Sequence, residues 1–390
     1  MKKTLLALAV LGTVAGSAMA ADVTLYGRID TGLRYTYVDS DFQNIDDASS
    51  FEMTSGNYTG SRFGLKGEED LGNGLKVAFV LENGFDSDDG SFDSNDNLFG
   101  RQASLHLKGG FGELAFGRMG ILNSTAGTFG IGNFNPFATG WGDVGSQTLL
   151  WGAGFSSRLD NMITYATPEF AGVKVYAQYS FGENTDAKEG IYEGKSSTDR
   201  YYALGANMKM GGLNAILIVD SINNASWDGL NNKSKGDVDD TVRVTLGGSY
   251  DFGVVKPYLS AAYFKDGTIG DIQKAYANIG KDKHYISSIG GYWDGFGVAL
   301  GASMPLAGGT AHAMLGYMSA ENQAEKAAAD ADDELDRWMI GFGYEYPLSK
   351  RTLVYADAGY VKDSYDAKLD TQKDIDPSFY QAAVGLVHYF

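Results

Sequence analysis

Hydrophobic and polar residues alternate along most of the chain, in one segment after another. In the first segment, apolar side chains and glycine occupy alternate positions (Val23, Leu25, Gly27, Ile29, Leu33 and Tyr35). The positions between them are mostly polar (Thr24, Tyr26, Arg28, Asp30 and Arg34). The pattern returns at 62–68, 75–82, 173–179, 242–250 and 337–346. Because such alternation is typical of a β-strand with one apolar and one wet face, the sequence predicts an all-β protein.

The connections between these segments alternate between short turns and long loops. Short turns are predicted at 70–74, 108–112, 168–172, 210–212, 251–255, 305–309 and 347–350. Long connections are predicted near 36–60, 84–98, 119–157, 182–199, 221–240, 265–283, 320–335 and 362–378. Short turns on one side and long loops on the other are typical of an outer-membrane barrel. Seven short and eight long connections join sixteen strands.

The predicted fold is therefore a 16-stranded antiparallel transmembrane β-barrel. Its strands match the roughly nine to eleven residues that a tilted strand needs to cross a bilayer. A break at Asp294 would add one strand, but an even number is needed to keep both termini on the periplasmic side. The last strand ends at Phe390 and must pair with the first, because each backbone group left unpaired in lipid costs several kcal/mol.

One segment, 119–157, breaks the alternation and is named loop 3 here. It contains nine glycines, six aromatic residues, a single acid (Asp143), and neither Lys nor Arg. A connection this long inside a compact domain is usually functional. We therefore expect loop 3, the third long extracellular connection, to fold inward and to be held by the tube of strands. Arg118 and Arg158 flank its ends, where a passing solute would meet them.

Residues 1–20 have the composition of a secretory signal peptide. Two lysines precede an apolar core, and Ala18-Met19-Ala20 forms a small-residue cleavage site. The mature chain, 21–390, has no Pro- or Ser-rich linker, so we expect a single barrel domain. It has no cysteine, which excludes a disulfide framework and thiol catalysis. No apolar run of eighteen residues follows the leader, as is also true of barrels whose lipid-facing residues alternate with polar ones.

The chain is acidic, and its net charge changes from −18 to −20 when the two leader lysines are removed. Such a surface repels nucleic acid, so nucleic-acid partners are excluded. Many of the acids lie in two predicted outer loops (Asp39, Asp41, Asp46, Asp47, Asp86, Asp88, Asp89, Asp93 and Asp96). Their field is screened over roughly 8 Å at physiological salt, so it should affect the mouth of a pore more than its throat.

Several stretches, taken in order, resemble the general porins of Gram-negative bacteria, and most closely the neisserial and betaproteobacterial branch. They are ADVTLYG at 21–27, SRFGLKGEEDLG at 61–72, GGFG at 109–112 running to Gly117-Arg118, YATPEFAG at 165–172, LSKRT at 348–352 and the terminal Phe390. The likeness covers the whole mature chain. It implies a homotrimeric diffusion channel in the outer membrane, with loop 3 as the constriction and no catalytic activity.

The resemblance also implies which residues form the constriction. In that branch, arginines of the barrel wall face the inserted loop, and the matching positions are Arg62, Arg101 and Arg158. Arg62 and Arg158 lie on the wet phase of their strands. Arg101 is instead in phase with Leu105 and Leu107, so it needs a bulge or a place above the lipid band to reach the lumen.

Further pore residues follow from strand phase and from position. Arg118 is out of phase but lies at a strand end, and we expect it and Asp143 in the constriction. Polar-phase residues predicted to line the pore are Arg28, Asp30, Arg34, Lys66, Lys76 and Glu82. Because arginines would face a nearly acid-free loop, we expect a weak anion preference set by charged rings rather than by a tight site. The same arginines could instead form salt bridges with wall acids.

Other classes of function are kept open beside the channel. The histidines (His106, His284, His312 and His388) have no metal-binding spacing, and no hydrolase, zinc-protease or phosphate-loop motif occurs, so no cofactor or metal is expected. The alternatives are a membrane-barrel enzyme, a structural or adhesive surface barrel without conductance, and a soluble secreted β protein. For the channel, the expected partners are ions, small hydrophilic solutes, outer-membrane lipid with lipopolysaccharide, and two further copies of the chain.

Overall fold

The described part of the chain consists of β-strands joined by turns and loops. The computed structural model describes residues 23–39, 47–93, 97–132, 134–137, 157–182, 192–195, 197–225, 227–228, 233–234, 239–267, 269, 293–322, 334–366 and 376–390. The predicted signal peptide, 1–20, lies outside these residues, and so does Asp143. Among the described residues, no helix is long and apolar enough to cross a membrane.

Nineteen strands occur in these ranges. The first ten are β1 (Thr24–Asp39), β2 (Ala48–Ser55), β3 (Arg62–Gly72), β4 (Leu75–Gly84), β5 (Gln102–Gly109), β6 (Gly112–Gly120), β7 (Arg158–Ala166), β8 (Val173–Ser180), β9 (Arg200–Met210) and β10 (Leu213–Asn223). The others are β11 (Trp227–Asp228), β12 (Lys233–Ser234), β13 (Thr241–Tyr250), β14 (Lys256–Gly267), β15 (Trp293–Leu306), β16 (Gly309–Asn322), β17 (Glu334–Pro347), β18 (Thr352–Asp366) and β19 (Ser378–Tyr389).

Seventeen of these strands form one closed antiparallel sheet, and β11 and β12 form a separate short hairpin. β1 pairs with β19 along one edge, which closes the barrel as predicted. Along its other edge, β1 pairs with β2 through Thr31–Val38 and with β3 through Thr24–Arg28. β2 and β3 therefore share one position in the wall, and the barrel has the predicted sixteen strands around it.

The first long connection differs from the prediction. The alternation predicts a loop near 36–60, whereas β1 continues to Asp39 and β2 occupies Ala48–Ser55. β2 is short and rich in serine, a residue that favours turns and caps, so its strand signal is weak. The chain then leaves the wall at 56–61 before β3 begins.

The barrel is apolar outside and polar inside. In β1, Leu25, Ile29 and Leu33 are exposed, whereas the alternate residues Asp30 and Thr36 are buried. Exposed large apolar side chains recur on the barrel strands up to β19. A lipid-facing band requires this arrangement, and the polar phase is left to line a wet lumen.

Loop 3 folds into the barrel over its described residues, as predicted. Leu122, Phe129 and Phe134 are at most 2% exposed. The inner wall beneath them is apolar too, since Ile216 and Ile218 of β10 are buried and pack in the same cluster. β10 is therefore apolar on both faces, because one faces lipid and the other faces loop 3.

Two glycines of the inner wall allow loop 3 to approach closely. A Cβ atom at Gly247 would lie 2.7 Å from the ring of Phe134, and one at Gly301 would lie 2.5 Å from Cδ of Pro136. Neither glycine has a left-handed φ, so the close approach of the loop, and not the backbone conformation, explains the missing side chain.

Candidate functional site

Four arginines gather along one arc of the lumen. Arg28 lies on β1, Arg62 begins β3, Arg101 precedes β5 and Arg158 begins β7. Arg62 interacts electrostatically with the other three, and we name the four the arginine cluster. The side chains of Arg62 and Arg101 are only 10% and 9% exposed. Because like charges so placed repel one another, the cluster needs acids to hold it together.

Two acids hold the cluster. Glu82 Oε1 accepts a hydrogen bond from Arg101 Nε at 3.0 Å and lies 3.6 Å from Arg62 Nη1. Glu82 Oε2 accepts from the Tyr26 hydroxyl at 3.0 Å. Asp93 Oδ2 accepts from Arg101 Nη1 at 2.8 Å. Arg62 and Arg101 therefore form ion pairs with acids of the barrel wall and of the loop that follows β4.

Arg101 reaches the lumen although its sequence phase is outward. β5 begins only at Gln102, and the backbone nitrogen of Arg101 donates to the carbonyl oxygen of Glu82 at 3.2 Å. Arg101 thus stands at a strand end, where alternation no longer constrains the side chain. Its guanidinium packs against Gly60, where a Cβ atom would lie 3.1 Å from Arg101 Nη1. Position at the strand end, rather than a bulge, brings Arg101 inward.

Alternation does not place Arg158 in the way predicted. Asn161 has a φ of 54°, and the register between β6 and β7 shifts by one residue beside it. The inward position therefore passes to Leu159, which is 1% exposed. Arg158 nevertheless interacts electrostatically with Arg101 and Glu82. Its place in the arginine cluster comes from its position at the strand end, not from strand phase.

Arg118 is not brought into the arginine cluster. It pairs with Ala103 in the outward register of β6. Its Nη1 donates to Asp160 Oδ1 at 2.7 Å and its Nε donates to the carbonyl oxygen of Gly100 at 2.6 Å. Its charge is thus matched by Asp160 at the strand end, although it also interacts electrostatically with Arg158. The predicted place of Asp143 in the constriction falls outside the described residues.

Most of the other predicted pore-lining residues lie on the inward phase and have partners there. Arg28 lies over the ring of Tyr389 at 5.6 Å, and Arg34 Nη2 donates to Glu52 Oε1 at 2.7 Å. Lys66 is exposed, with its ammonium over an aromatic ring.

Lys76 and Lys108 both bind Glu68, at 2.7 and 2.9 Å, near the turns that join β3 to β4 and β5 to β6.

Asp30 differs from the other predicted pore-lining residues, because it is 0% exposed and therefore does not line the pore. A position on the inward phase does not imply contact with solute where another segment of the chain covers the wall.

Hydrogen bonds hold loop 3 against the wall. The backbone nitrogen of Leu122 donates to Gln178 Oε1 at 2.8 Å, and Gln178 Nε2 donates to the carbonyl oxygen of Gly120 at 3.0 Å. Gln102 Nε2 donates to the Thr128 hydroxyl at 2.8 Å. The described residues of loop 3 carry no charged side chain, so this part of the loop brings only neutral groups into the lumen.

A buried ion pair supports loop 3 from β10 and β13. Asp220 accepts from Arg243 Nε at 3.0 Å and from Arg243 Nη2 at 2.6 Å. With its amide oxygen facing these donors, Asn123 of loop 3 accepts from Arg243 Nε at 2.8 Å and from the Thr245 hydroxyl at 2.6 Å. The ion pair therefore joins the barrel wall to loop 3.

His106 supports loop 3 as well. His106 bonds Ser104 at 2.8 Å and Glu113 at 2.9 Å, and its ring stacks on Phe129 of loop 3 at 5.6 Å. Among the described residues, no group of three or more His, Cys, Asp or Glu side chains could hold a metal ion.

Two parts of the site are not predicted by the sequence. The sequence predicts that Asp93 lies in an acidic outer loop, yet Asp93 binds Arg101 in the lumen. The segment 56–61 is predicted to belong to the first outer loop, yet Asn57 and Thr59 are buried. Its signal in the sequence is a break in alternation with Gly56 and Gly60 around an aromatic residue.

Comparisons with known proteins agree with this architecture. Residues 7–366 match the Gram-negative porin family. An outer membrane porin of Bordetella pertussis is 36% identical over 386 residues, which cover 93% of this chain and 95% of that protein. Outer membrane porin protein 32 of Delftia acidovorans is 33% identical over 380 residues, covering 95% and 93%. The solved anion-selective porin from Comamonas acidovorans shares 26% identity with a TM-score of 0.67, covering 95% of this chain and all of that one.

The matched family, the closed barrel and the inward loop point to one conclusion. A wet lumen crossed by a loop and lined by charged side chains suits passive diffusion, because it provides charge and a restricted cross-section without a tight binding site. The chain belongs to the Gram-negative porins and is a passive diffusion channel of the bacterial outer membrane.

Proposed function

We propose that this porin conducts ions and small hydrophilic solutes with a weak preference for anions. The observation that carries the proposal is the composition of the arginine cluster. Arg62 and Arg101 pair with Glu82 and Asp93, Arg28 and Arg158 add two further positive charges beside them, and the part of loop 3 that the structure describes is uncharged. An anion crossing this narrow region meets a net positive wall.

The position of the charge in the lumen gives it more influence than its size suggests. Low-dielectric walls focus the field inside a cleft, so a small excess of positive charge raises the local concentration of anions. The acids of the outer loops act over a Debye length of roughly 8 Å at physiological salt. They therefore change the ion concentration at the mouth, whereas the arginine cluster acts inside the barrel. Similarity to the anion-selective porin from Comamonas acidovorans favours the same sign.

Reversing two charges of the cluster tests the proposal. The double variant Arg62→Glu and Arg158→Glu changes the cluster charge by four units, and the reversal potential under a salt gradient should move to the cation side. Arg351→Glu is the matched control, because Arg351 is exposed in the turn between β17 and β18 and should leave the reversal potential unchanged. An unchanged sign in the double variant would refute the assignment of selectivity to the arginines.

We also propose the assembly and export route that the family implies. The chain is exported with residues 1–20 as a signal peptide that is cleaved after about Ala20, and three copies assemble in the outer membrane. Its apolar outer band then contacts lipid, including lipopolysaccharide. No catalytic step and no cofactor is part of this proposal. Mass measurement of the mature protein and of the detergent-solubilised oligomer tests both statements.

A further inference from the structure

A second segment of the chain, besides loop 3, folds into the lumen. β2 pairs with β1 down to Thr31, and β3 pairs with β1 only from Arg28 onward. Between them, residues 56–61 leave the wall, and we name this segment the inner turn. The partners of the inner turn show that it lies across the inner face of β1.

Asp30 of β1 holds the inner turn. Its Oδ2 accepts hydrogen bonds from the backbone nitrogens of Tyr58 at 2.8 Å and Thr59 at 2.7 Å. Its Oδ1 accepts from the Tyr355 hydroxyl at 2.9 Å, and its backbone nitrogen donates to Ser61 Oγ at 3.0 Å. With 0% exposure, the carboxylate of Asp30 acts on the inner turn and does not meet solute.

Side chains of the inner turn reach two more strands. Asn57 Nδ2 donates to Asp357 Oδ2 of β18 at 3.1 Å, and the Tyr58 hydroxyl donates to Glu345 Oε2 of β17 at 2.6 Å. Tyr58 also packs on the ring of Tyr355, with ring centroids 5.4 Å apart. The inner turn is therefore fixed to the wall on one side.

The other side of the inner turn holds the arginine cluster. Arg62 Nε donates to the carbonyl oxygen of Gly60 at 2.9 Å, and Arg62 Nη2 donates to Thr59 Oγ1 at 3.3 Å. A Cβ atom at Gly60 would lie 3.1 Å from Arg101 Nη1 and 3.6 Å from Arg62 Nη2. Both guanidinium groups therefore lie against the inner turn.

We propose that Asp30 is a positioning residue for ion selectivity, which acts through the inner turn on Arg62 and Arg101. The inner turn is then a second constriction element, separate from loop 3 and anchored by a buried acid. This inference rests on the proposed anion preference of the arginine cluster.

The change in ion selectivity expected on removal of Asp30 has the opposite sign to the change expected from its charge alone. Removing a negative charge from the lumen wall should favour anions if Asp30 acts through its charge. If Asp30 acts by positioning, its removal frees the inner turn and the two arginines lose their fixed place at the constriction. The anion-to-cation permeability ratio then falls.

Two variants separate charge from hydrogen bonding. Asp30→Ala removes both, and we expect it to shift the permeability ratio toward cations. Asp30→Asn removes only the charge, because the amide oxygen can still accept from the two backbone nitrogens and the amide nitrogen can donate to the Tyr355 hydroxyl oxygen. Asp30→Asn should therefore keep the wild-type ratio. A ratio in Asp30→Ala that is unchanged, or shifted toward anions, would overturn the proposal.

A third variant protects the test against failure to fold. Thr59→Val removes the hydroxyl that Arg62 binds but leaves the backbone bond to Asp30, so it should shift the ratio in the same direction as Asp30→Ala. Heat-modifiable mobility on a gel confirms that each barrel is folded. The wild-type ratio tests the proposed anion preference, whereas the direction of the shift tests the role of Asp30. An unchanged ratio in a folded Thr59→Val barrel contradicts the step by which the inner turn positions Arg62.

Discussion

Replacing Asp220 with alanine should weaken the barrel and free loop 3 at the same time. The Asp220 side chain is 0% exposed and that of Arg243 is 6% exposed. Removing one partner of a buried ion pair costs about 3–5 kcal/mol, because the other charge stays buried without its partner. Arg243 keeps the amide oxygen of Asn123 as an acceptor. We therefore expect the low end of that range, about 3 kcal/mol of unfolding free energy.

The effect on the channel separates this ion pair from a purely structural one. Asp363→Ala is the matched control, because Asp363 forms a bidentate pair with Arg337 at 2.7 and 2.9 Å and both side chains are similarly buried. Urea unfolding of the barrel in detergent should show comparable losses in both variants. Single-channel conductance should change only in Asp220→Ala. Equal conductance changes in both variants, or none in Asp220→Ala, would refute the link between Arg243 and loop 3.

Two further predictions concern the two faces of the wall. Gly247→Leu should displace Phe134 and change the single-channel conductance, whereas Gly248→Leu should not, because a Cβ at Gly248 meets only a carbonyl oxygen at 3.9 Å. Equal conductance in the two variants would contradict the packing of loop 3. Leu217→Arg puts a charge on a lipid-facing position that is 47% exposed. Urea unfolding should show a loss of about 2–4 kcal/mol if the site lies near the bilayer midplane, and a loss near zero would contradict the inside-out pattern.

The alternation of apolar and polar residues predicted the barrel, because lipid on the outside and water on the inside require that alternation. A residue on the outward phase, such as Leu33, must be apolar, and its neighbour Arg34 must face water, so one chemical requirement acts along every strand. The strand count followed from the lengths of the connections and from the need for an even number. Loop 3 was recognised because its many glycines and aromatic residues do not alternate with polar residues as those of a barrel strand do.

Strand phase failed where the chain departs from regular pairing. Asn161 takes a φ of 54°, and the register between β6 and β7 shifts beside it. The neighbouring sequence does not indicate this shift. Arg101 turns inward because it precedes β5, which begins at Gln102, so the phase of Leu105 and Leu107 does not apply to it. Asp30 has the predicted direction, but whether it meets solute depends on its contacts with the inner turn, and periodicity does not contain that information.

One signal in the sequence could have located the part of the barrel wall against which loop 3 packs. Ala215–Val219 of β10 is a continuous apolar run, although an ordinary barrel strand alternates. Such a run indicates burial on both faces. Inside a water-filled barrel, only another part of the chain can bury the inner face, and loop 3 is the connection with matching apolar residues.

The reversal potential of the purified wild-type protein in a planar bilayer, under a potassium chloride gradient, shows whether the arginine cluster sets the ion preference of the pore. Stepwise conductance with a reversal potential on the chloride side is the result that the arginine cluster predicts. A reversal potential on the potassium side would show that acids elsewhere in the pore outweigh the arginine cluster, and would refute the proposed anion preference.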